Sequence, residues 1–224
     1  MAKTLRGLRV AVLAADGFEQ VELADPVKAL RRAGAHVEVV SPRPGHVQGM
    51  NHLDPGKQVK VDRRLSGVSV ASFDALFIPG GFVSPDVLRQ SDDVRALVRA
   101  FDQQGLPIAT LCHGPWVLAS AGLTRGRRLT SWPGIQDDLK NAGARWENAA
   151  VVRDDNWVSS RSPDDLPTFI PALLGLYAES MDAVRERARV RGRWKRRAAG
   201  LAALAVAGIA LSQRASSPPR RAFF

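Results

Sequence analysis

Apolar residues occur as short unbroken runs, divided by stretches whose apolar positions recur with a helical period. Leu8 to Ala14 is apolar except for Arg9, and Asp16-Gly17 ends the run. A continuous run of this kind predicts a strand covered on both faces, because a half-exposed strand alternates. Val21, Leu23, Val27 and Leu30 then recur at near-helical spacing up to Gly34, and His36 to Val40 reads as the next strand. Strand, helix and strand in about 33 residues make a βαβ unit. Residues 42–57 are rich in Pro, Gly, His and Asn, which predicts a loop or a short hairpin.

The cycle resumes at Ala75–Ile78, closed by Pro79-Gly80-Gly81. Ser91 is a cap for a helix over 92–104, with Val94, Leu97, Val98 and Phe101 on one face and Gly105 after it. Pro107–Leu111 is a further buried strand, Gly114–Ala121 a helix, and Leu166–Ala178 a late amphipathic helix. This alternation predicts a flavodoxin-like α/β fold, a doubly wound, mostly parallel sheet with helices on both faces. No repeat of fixed period is present.

Composition adds an asymmetry. The 224 residues are 45% apolar, ordinary for a globular chain that can bury a core without staples. The net charge of +10 is not spread evenly: residues 1–180 hold 21 Lys/Arg and 20 Asp/Glu, whereas 181–224 hold 11 and 2. The chain therefore divides into a near-neutral α/β domain, 1–180, and a basic, Ala-rich C-terminal extension, 181–224. Nucleic acid is not expected as a partner, since the basicity lies outside the domain. Within the extension, Ala198 to Leu211 is uncharged and mostly apolar. As a helix it would be about 21 Å long, short of the roughly 30 Å of a bilayer core. Contact with a membrane surface through the 181–224 tail, or a loosely helical appendage, are the readings left open. The start of the chain does not read as a signal peptide, and one cysteine excludes an internal disulfide framework and a Cys-rich zinc module. A cytoplasmic location is expected, with membrane association only through the tail.

That single cysteine sits in the most informative stretch, Pro107-Ile-Ala-Thr-Leu-Cys112-His-Gly-Pro-Trp116. A strand runs into Cys112, and Pro115 suits the first turn of a helix. The thiol is thus expected on a sharp strand-to-helix turn, exposed at the carboxyl edge of the sheet, as in a nucleophile elbow. The backbone N–H of His113 would face a developing oxyanion, and Gly80-Gly81 would supply a second donor. The four histidines, His36, His46, His52 and His113, include none beyond His113, so a Cys nucleophile with a distant downstream His base cannot be built. His113 adjoins Cys112, and their side chains are expected to diverge. No metal site is expected, and the chain has no Gly-x-Gly-x-x-Gly and no Walker loop, so no cofactor is expected.

Further segments carry a resemblance. They are Asp16-Gly-Phe-Glu-Gln-Val-Glu22, Gln48-Gly-Met-Asn-His52, Phe73-Asp-Ala-Leu-Phe-Ile-Pro-Gly-Gly81 and Ala109-Thr-Leu-Cys-His-Gly-Pro115. Leu129-Thr-Ser-Trp-Pro-Gly-Ile-Gln-Asp-Asp138, Asn141-Ala-Gly-Ala-Arg-Trp146 and Asp155-Asn-Trp-Val-Ser-Ser-Arg161 continue the series. Together they resemble the PfpI family of the DJ/PfpI superfamily. The resemblance implies Cys112 as nucleophile, Glu22 as a protonated carboxyl beside it, and oxyanion donors at the backbone of Gly81 and His113. Gly80 and Trp132 would border the substrate pocket. It also implies a homo-oligomer, in which Asp86 of a neighbouring subunit would stand where peptidase-like members carry a glutamate. Asp is one methylene shorter, which weighs against proteolysis.

The resemblance implies a stress-response cysteine enzyme acting, without a cofactor, on a small carbonyl substrate or a carbonyl-modified protein. This is the deglycase or glyoxalase chemistry. An oligomeric peptidase or amidase is the first alternative. A redox sensor or chaperone without turnover is the second.

Overall fold

In the computed structural model, which describes residues 4–182, the chain opens with β1 (Arg9–Leu13), β2 (Phe18–Glu19), α1 (Gln20–Arg32) and β3 (His36–Ser41). The hairpin β4 (His46–Asn51) and β5 (Asp54–Lys60) follows, then β6 (Arg63–Arg64) and β7 (Ala75–Ile78). Next come α2 (Val83–Gln90), α3 (Asp92–Gln103), β8 (Ile108–Leu111), α4 (Pro115–Ser120) and β9 (Arg128–Leu129). The rest is α5 (Gln136–Asn141), β10 (Arg145–Trp146), β11 (Val151–Asp154), β12 (Trp157–Ser160) and a last helix, α6, described over 166–182. The expected basic extension lies outside the described residues, apart from 181 and 182.

Seven strands form the main sheet in the order β11-β12-β8-β7-β1-β3-β6. All neighbours are parallel except β11 and β12, which pair antiparallel. The predicted runs explain why: β1 from Val10, β7 and β8 are buried on both faces. Their alternate residues feed two separate cores. Val10, Val12, Phe77 and Leu111 pack with Leu23, Val27 and Leu30 of α1 and with Phe169, Leu173 and Tyr177 of α6. Leu13, Leu76, Ile78 and Ile108 pack with Val94, Val98 and Phe101 of α3 and with Val117 and Leu118 of α4. The sheet is therefore doubly wound, with helices on both faces. Each fully buried Leu, Ile or Phe contributes about 1.5–3 kcal/mol. Tyr177 also bonds the sheet directly, its hydroxyl donating to the Leu76 carbonyl at 2.5 Å.

Two local predictions are met by the structure. Ser91 does cap α3, accepting from Val94 N–H. The Pro/Gly-rich stretch forms the β4–β5 hairpin, which joins β2 in a small second sheet. Helix α2 was not anticipated; it begins two residues after Gly81. The chain moves from β1 to β3 on one side and then returns to β7 on the other side of β1. That reversal opens a crevice at the carboxyl ends of β1 and β7, the usual ligand position in such sheets.

Candidate active site

Three turns meet at this crevice: the one after β1 brings Glu22, the one after β7 brings Gly80 and Gly81, and the one after β8 brings Cys112. Cys112 holds φ at +55°, a left-handed conformation rare for a residue with a side chain. The turn is clamped from both sides. Cys112 N–H donates to the Ser160 carbonyl at 3.1 Å, and the Cys112 carbonyl accepts from Trp132 N–H at 2.9 Å. Gly114 N–H closes the turn onto Leu111 at 2.8 Å, and Pro115 starts α4. This is the elbow that the strand-turn-helix pattern predicts.

Two expectations about the thiol are corrected. It is buried rather than exposed, with Cys112 only 6% accessible. The side chains of Cys112 and His113 also converge: Sγ lies 3.2 Å from His113 Nδ1. Neighbours diverge on an extended strand, but the left-handed turn at Cys112 rotates the chain between them. Burial lowers the His113 imidazole to about 4, so the ring is neutral at pH 7. Its faces and edges meet Trp116 at 5.1 Å, Phe82 at 5.5 Å and Trp132 at 6.1 Å between centroids.

Glu22 lies in the first turn of α1 and is fully buried. Its Oε2 accepts the Gly80 N–H at 2.9 Å, while Oε1 has no hydrogen-bond partner among the described residues. Burial pushes the carboxyl up to about 8, against the pull of the thiol and the Gly80 N–H. Glu22 therefore keeps its proton at neutral pH. Burial also pushes the Cys112 thiol up, and a charged Glu22 adds to the rise; the N–H groups of Gly81 and His113 act in the opposite direction. A protonated Glu22 removes the charge repulsion and offers an O–H to the sulfur, so thiolate formation depends on that proton.

The glycines fit this arrangement for a steric reason. A Cβ at Gly80 would stand 2.4 Å from Glu22 Oε2 and 2.5 Å from Cys112 Cβ. Gly81 has φ +89°, and a Cβ there would meet Gly17 O and Glu19 N at 2.4 Å.

A cavity of about 370 Å³ opens over the thiol. Cys112, His113, Glu22, Gly81 and the half-exposed Trp132 line it, so these sequence-predicted residues are brought together. Gly80 lies beneath, holding Glu22. Other liners are His52, at the end of the segment 48–52 quoted above, and residues that carried no local signal: Phe82, Leu53 at the β4–β5 tip, and Ser162, Pro163 and Asp164 after β12. Glu19 also lines it and fixes the hairpin tip, its Oε2 accepting His52 N–H at 3.0 Å. Asp86 is not brought to His113 within the chain. It is exposed on α2, accepting from Gln90 of the same helix at 3.0 Å. A larger groove of about 810 Å³ lies between α1 and α6, but its lining contains no Cys, Ser, Thr or His. Among the described residues no cluster of His, Cys, Asp or Glu is grouped to hold a metal ion, and no helix is long and apolar enough to cross a membrane.

A family model described as the DJ-1/PfpI family matches residues 8–176. The chain belongs to that family. A protein named as a deglycase in Thermococcus kodakarensis is 43% identical over 159 residues, covering 71% of this chain and 93% of that one. A Bacillus subtilis protein, YraA, whose name carries the words cysteine protease, is 42% identical over 161 residues, 72% of this chain and 93% of its own. Among solved structures, Drosophila melanogaster DJ-1beta superposes with a TM-score of 0.69 at 28% identity, covering 79% of this chain and 97% of that chain. A two-domain Anabaena variabilis protein, with DJ-1/ThiJ/PfpI-like and ferritin-like domains, gives 0.71 at 33% identity. The match covers 75% of this chain and 47% of that one. The family and these relatives support a PfpI-type cysteine enzyme.

Proposed function

We propose that this protein acts on reactive carbonyls, or on their adducts with proteins, by addition of the Cys112 thiolate and without a cofactor. The observation that carries the reading is the buried pair at the elbow. Cys112 is held at φ +55° against the N–H groups of Gly81 and His113, with a protonated, half-unpartnered Glu22 beside it. The names of the deglycase relatives support the same chemistry.

With methylglyoxal the steps balance as follows. Sγ adds to the aldehyde carbon, and the carbonyl oxygen becomes the oxyanion of a hemithioacetal, facing the Gly81 and His113 amides. Glu22, once it has given its own proton to the oxyanion, or the neutral His113 takes the proton from the former aldehyde carbon and returns it to the neighbouring carbon, while the hydroxyl proton passes to the ketone oxygen, which gives a lactoyl thioester. Water hydrolyses the thioester, releasing lactate and regenerating the thiol. The test is methylglyoxal consumption with lactate detection, beside Cys112→Ser and Glu22→Gln. Turnover lost in both variants supports the reading. No turnover from a protein whose Cys112 still reacts with iodoacetamide refutes it. The single cysteine, too few for an internal disulfide, also leads us to place the protein in the cytoplasm.

A second reading, an oligomeric peptidase or amidase, has one observation in its favour. Phe82, Val83 and Val87 are exposed apolar residues on the α2 segment that carries Asp86. A second copy packed there would bring a carboxylate near His113. Acylation of Cys112 by a peptide-type inhibitor, lost when the oligomer dissociates, would favour this reading over the first.

A further inference from the structure

The cavity over Cys112 has a charge of one sign. Its lining includes three carboxyl groups, Glu19, Glu22 and Asp164, two imidazoles, His52 and His113, and no Lys or Arg. Glu22 and His113 are neutral at pH 7 for the reasons given above, which leaves Glu19 and Asp164 to set the field. The Asp164 side chain makes no hydrogen bond or ion pair among the described residues. The nearest guanidinium along the chain, Arg161, is held by Asp165 at 2.8 and 3.0 Å and by Asn148 at 2.8 Å. Two rings frame the opening, Phe82 and Trp132, 67% and 42% exposed. Aromatic faces attract cations. The buried Oε1 of Glu22, which no described N–H or O–H group meets, borders the same space.

We infer that this cavity selects substrates carrying a positive charge near the reacting carbon, an ammonium or guanidinium group, and rejects anionic ones, with Glu19 and Asp164 as the carboxylates that set the preference. The inference rests on Cys112 being the group that meets the substrate. Glu19 suits the role because His52 N–H holds its carboxylate at the cavity lining. Asp164 suits it as an exposed carboxylate on the turn after β12 that lines the same cavity. The domain itself carries no such bias, with 21 Lys/Arg against 20 Asp/Glu over residues 1–180. A preference for cations therefore isolates the local carboxylates.

The test uses the full chain and three methanethiosulfonates of the same chemistry: a trimethylammonium-ethyl, a sulfonato-ethyl and an uncharged methyl reagent. The thiolate attacks the sulfenyl sulfur, a disulfide forms, and methanesulfinate leaves. Cys112 is the only cysteine in the sequence, so labelling reports one site. Each rate is divided by that of the same reagent on N-acetylcysteine, and the neutral reagent reports access to the thiol in each variant. At low salt the cationic reagent should outpace the anionic one by about tenfold, with the ratio shrinking as salt screens the field. Asp164→Asn and Glu19→Gln should each lower the ratio, and the double variant should bring it near one. A wild-type ratio near one, or a ratio that neither substitution moves, overturns the inference. Charge selection without methylglyoxal turnover supports the inference while the reaction reading falls. Turnover without charge selection does the reverse.

Discussion

Replacing Glu22 by Gln should end turnover and yet make the fold more stable at neutral pH. The carboxyl stands near 4.5 in the unfolded chain and is pushed up to about 8 by burial in the folded one. Between those values the folded chain holds a proton that the unfolded chain has released. The stability tied to that proton is complete below 4.5 and is lost as pH rises through about 8. One pH unit is worth about 1.4 kcal/mol, so by pH 7 the buried carboxyl has cost about 3 kcal/mol. Gln does not ionise, has nearly the same shape, and its oxygen still accepts the Gly80 N–H. It gives up the carboxyl O–H beside the sulfur, an offset of about 1 kcal/mol. The net gain at pH 7 is therefore about 2 kcal/mol. Urea unfolding of both proteins at pH 5, 6, 7 and 8 measures it, because all other titrating groups are shared. The stability difference should grow by about 1.4 kcal/mol per pH unit and flatten above about 8. Parallel stability curves from pH 5 to 8 would refute the burial argument, whatever the activity of the variant.

Two further outcomes follow from the same site. Gly80→Ala should abolish turnover and destabilise by about 1–3 kcal/mol, because the added methyl overlaps Glu22 Oε2 and Cys112 Cβ; wild-type iodoacetamide reactivity in this variant would contradict that. His113 takes up a proton near 6.5 when unfolded but only near 4 when folded, so the stability it confers is present above 6.5 and lost as pH falls through about 4. His113→Asn should therefore lose less melting temperature than the wild type between pH 6.5 and 4, as followed by circular dichroism.

Much of the scaffold was legible because its signals are local. The unbroken apolar runs of β1, β7 and β8 have one physical explanation, burial on both faces, and Cys112 stands where one such run meets a helix. Helix α2 hid because it follows Gly80-Gly81 almost at once and carries Pro85 in its first turn. Strand β12 hid because two of its four residues are serines, whose hydroxyls contact backbone: Ser160 donates to Ala150 at 2.7 Å, and Ser159 accepts from Thr130 at 2.9 Å. The far walls of the cavity come from residues 52–53 and 162–164, which only the folded chain brings near residue 112. Contact between Cys112 and His113 depended on one backbone angle, which no spacing rule reports.

The left-handed turn at Cys112 also bears on how this chain can be altered. A side chain at such a φ costs about 1–2 kcal/mol relative to glycine, so glycine is the residue the backbone itself favours at position 112. Directed evolution for heat resistance alone would be drawn to that position and would delete the only thiol in the chain. A melting temperature is thus a misleading guide to improvement here unless each hardened variant is also titrated for its cysteine.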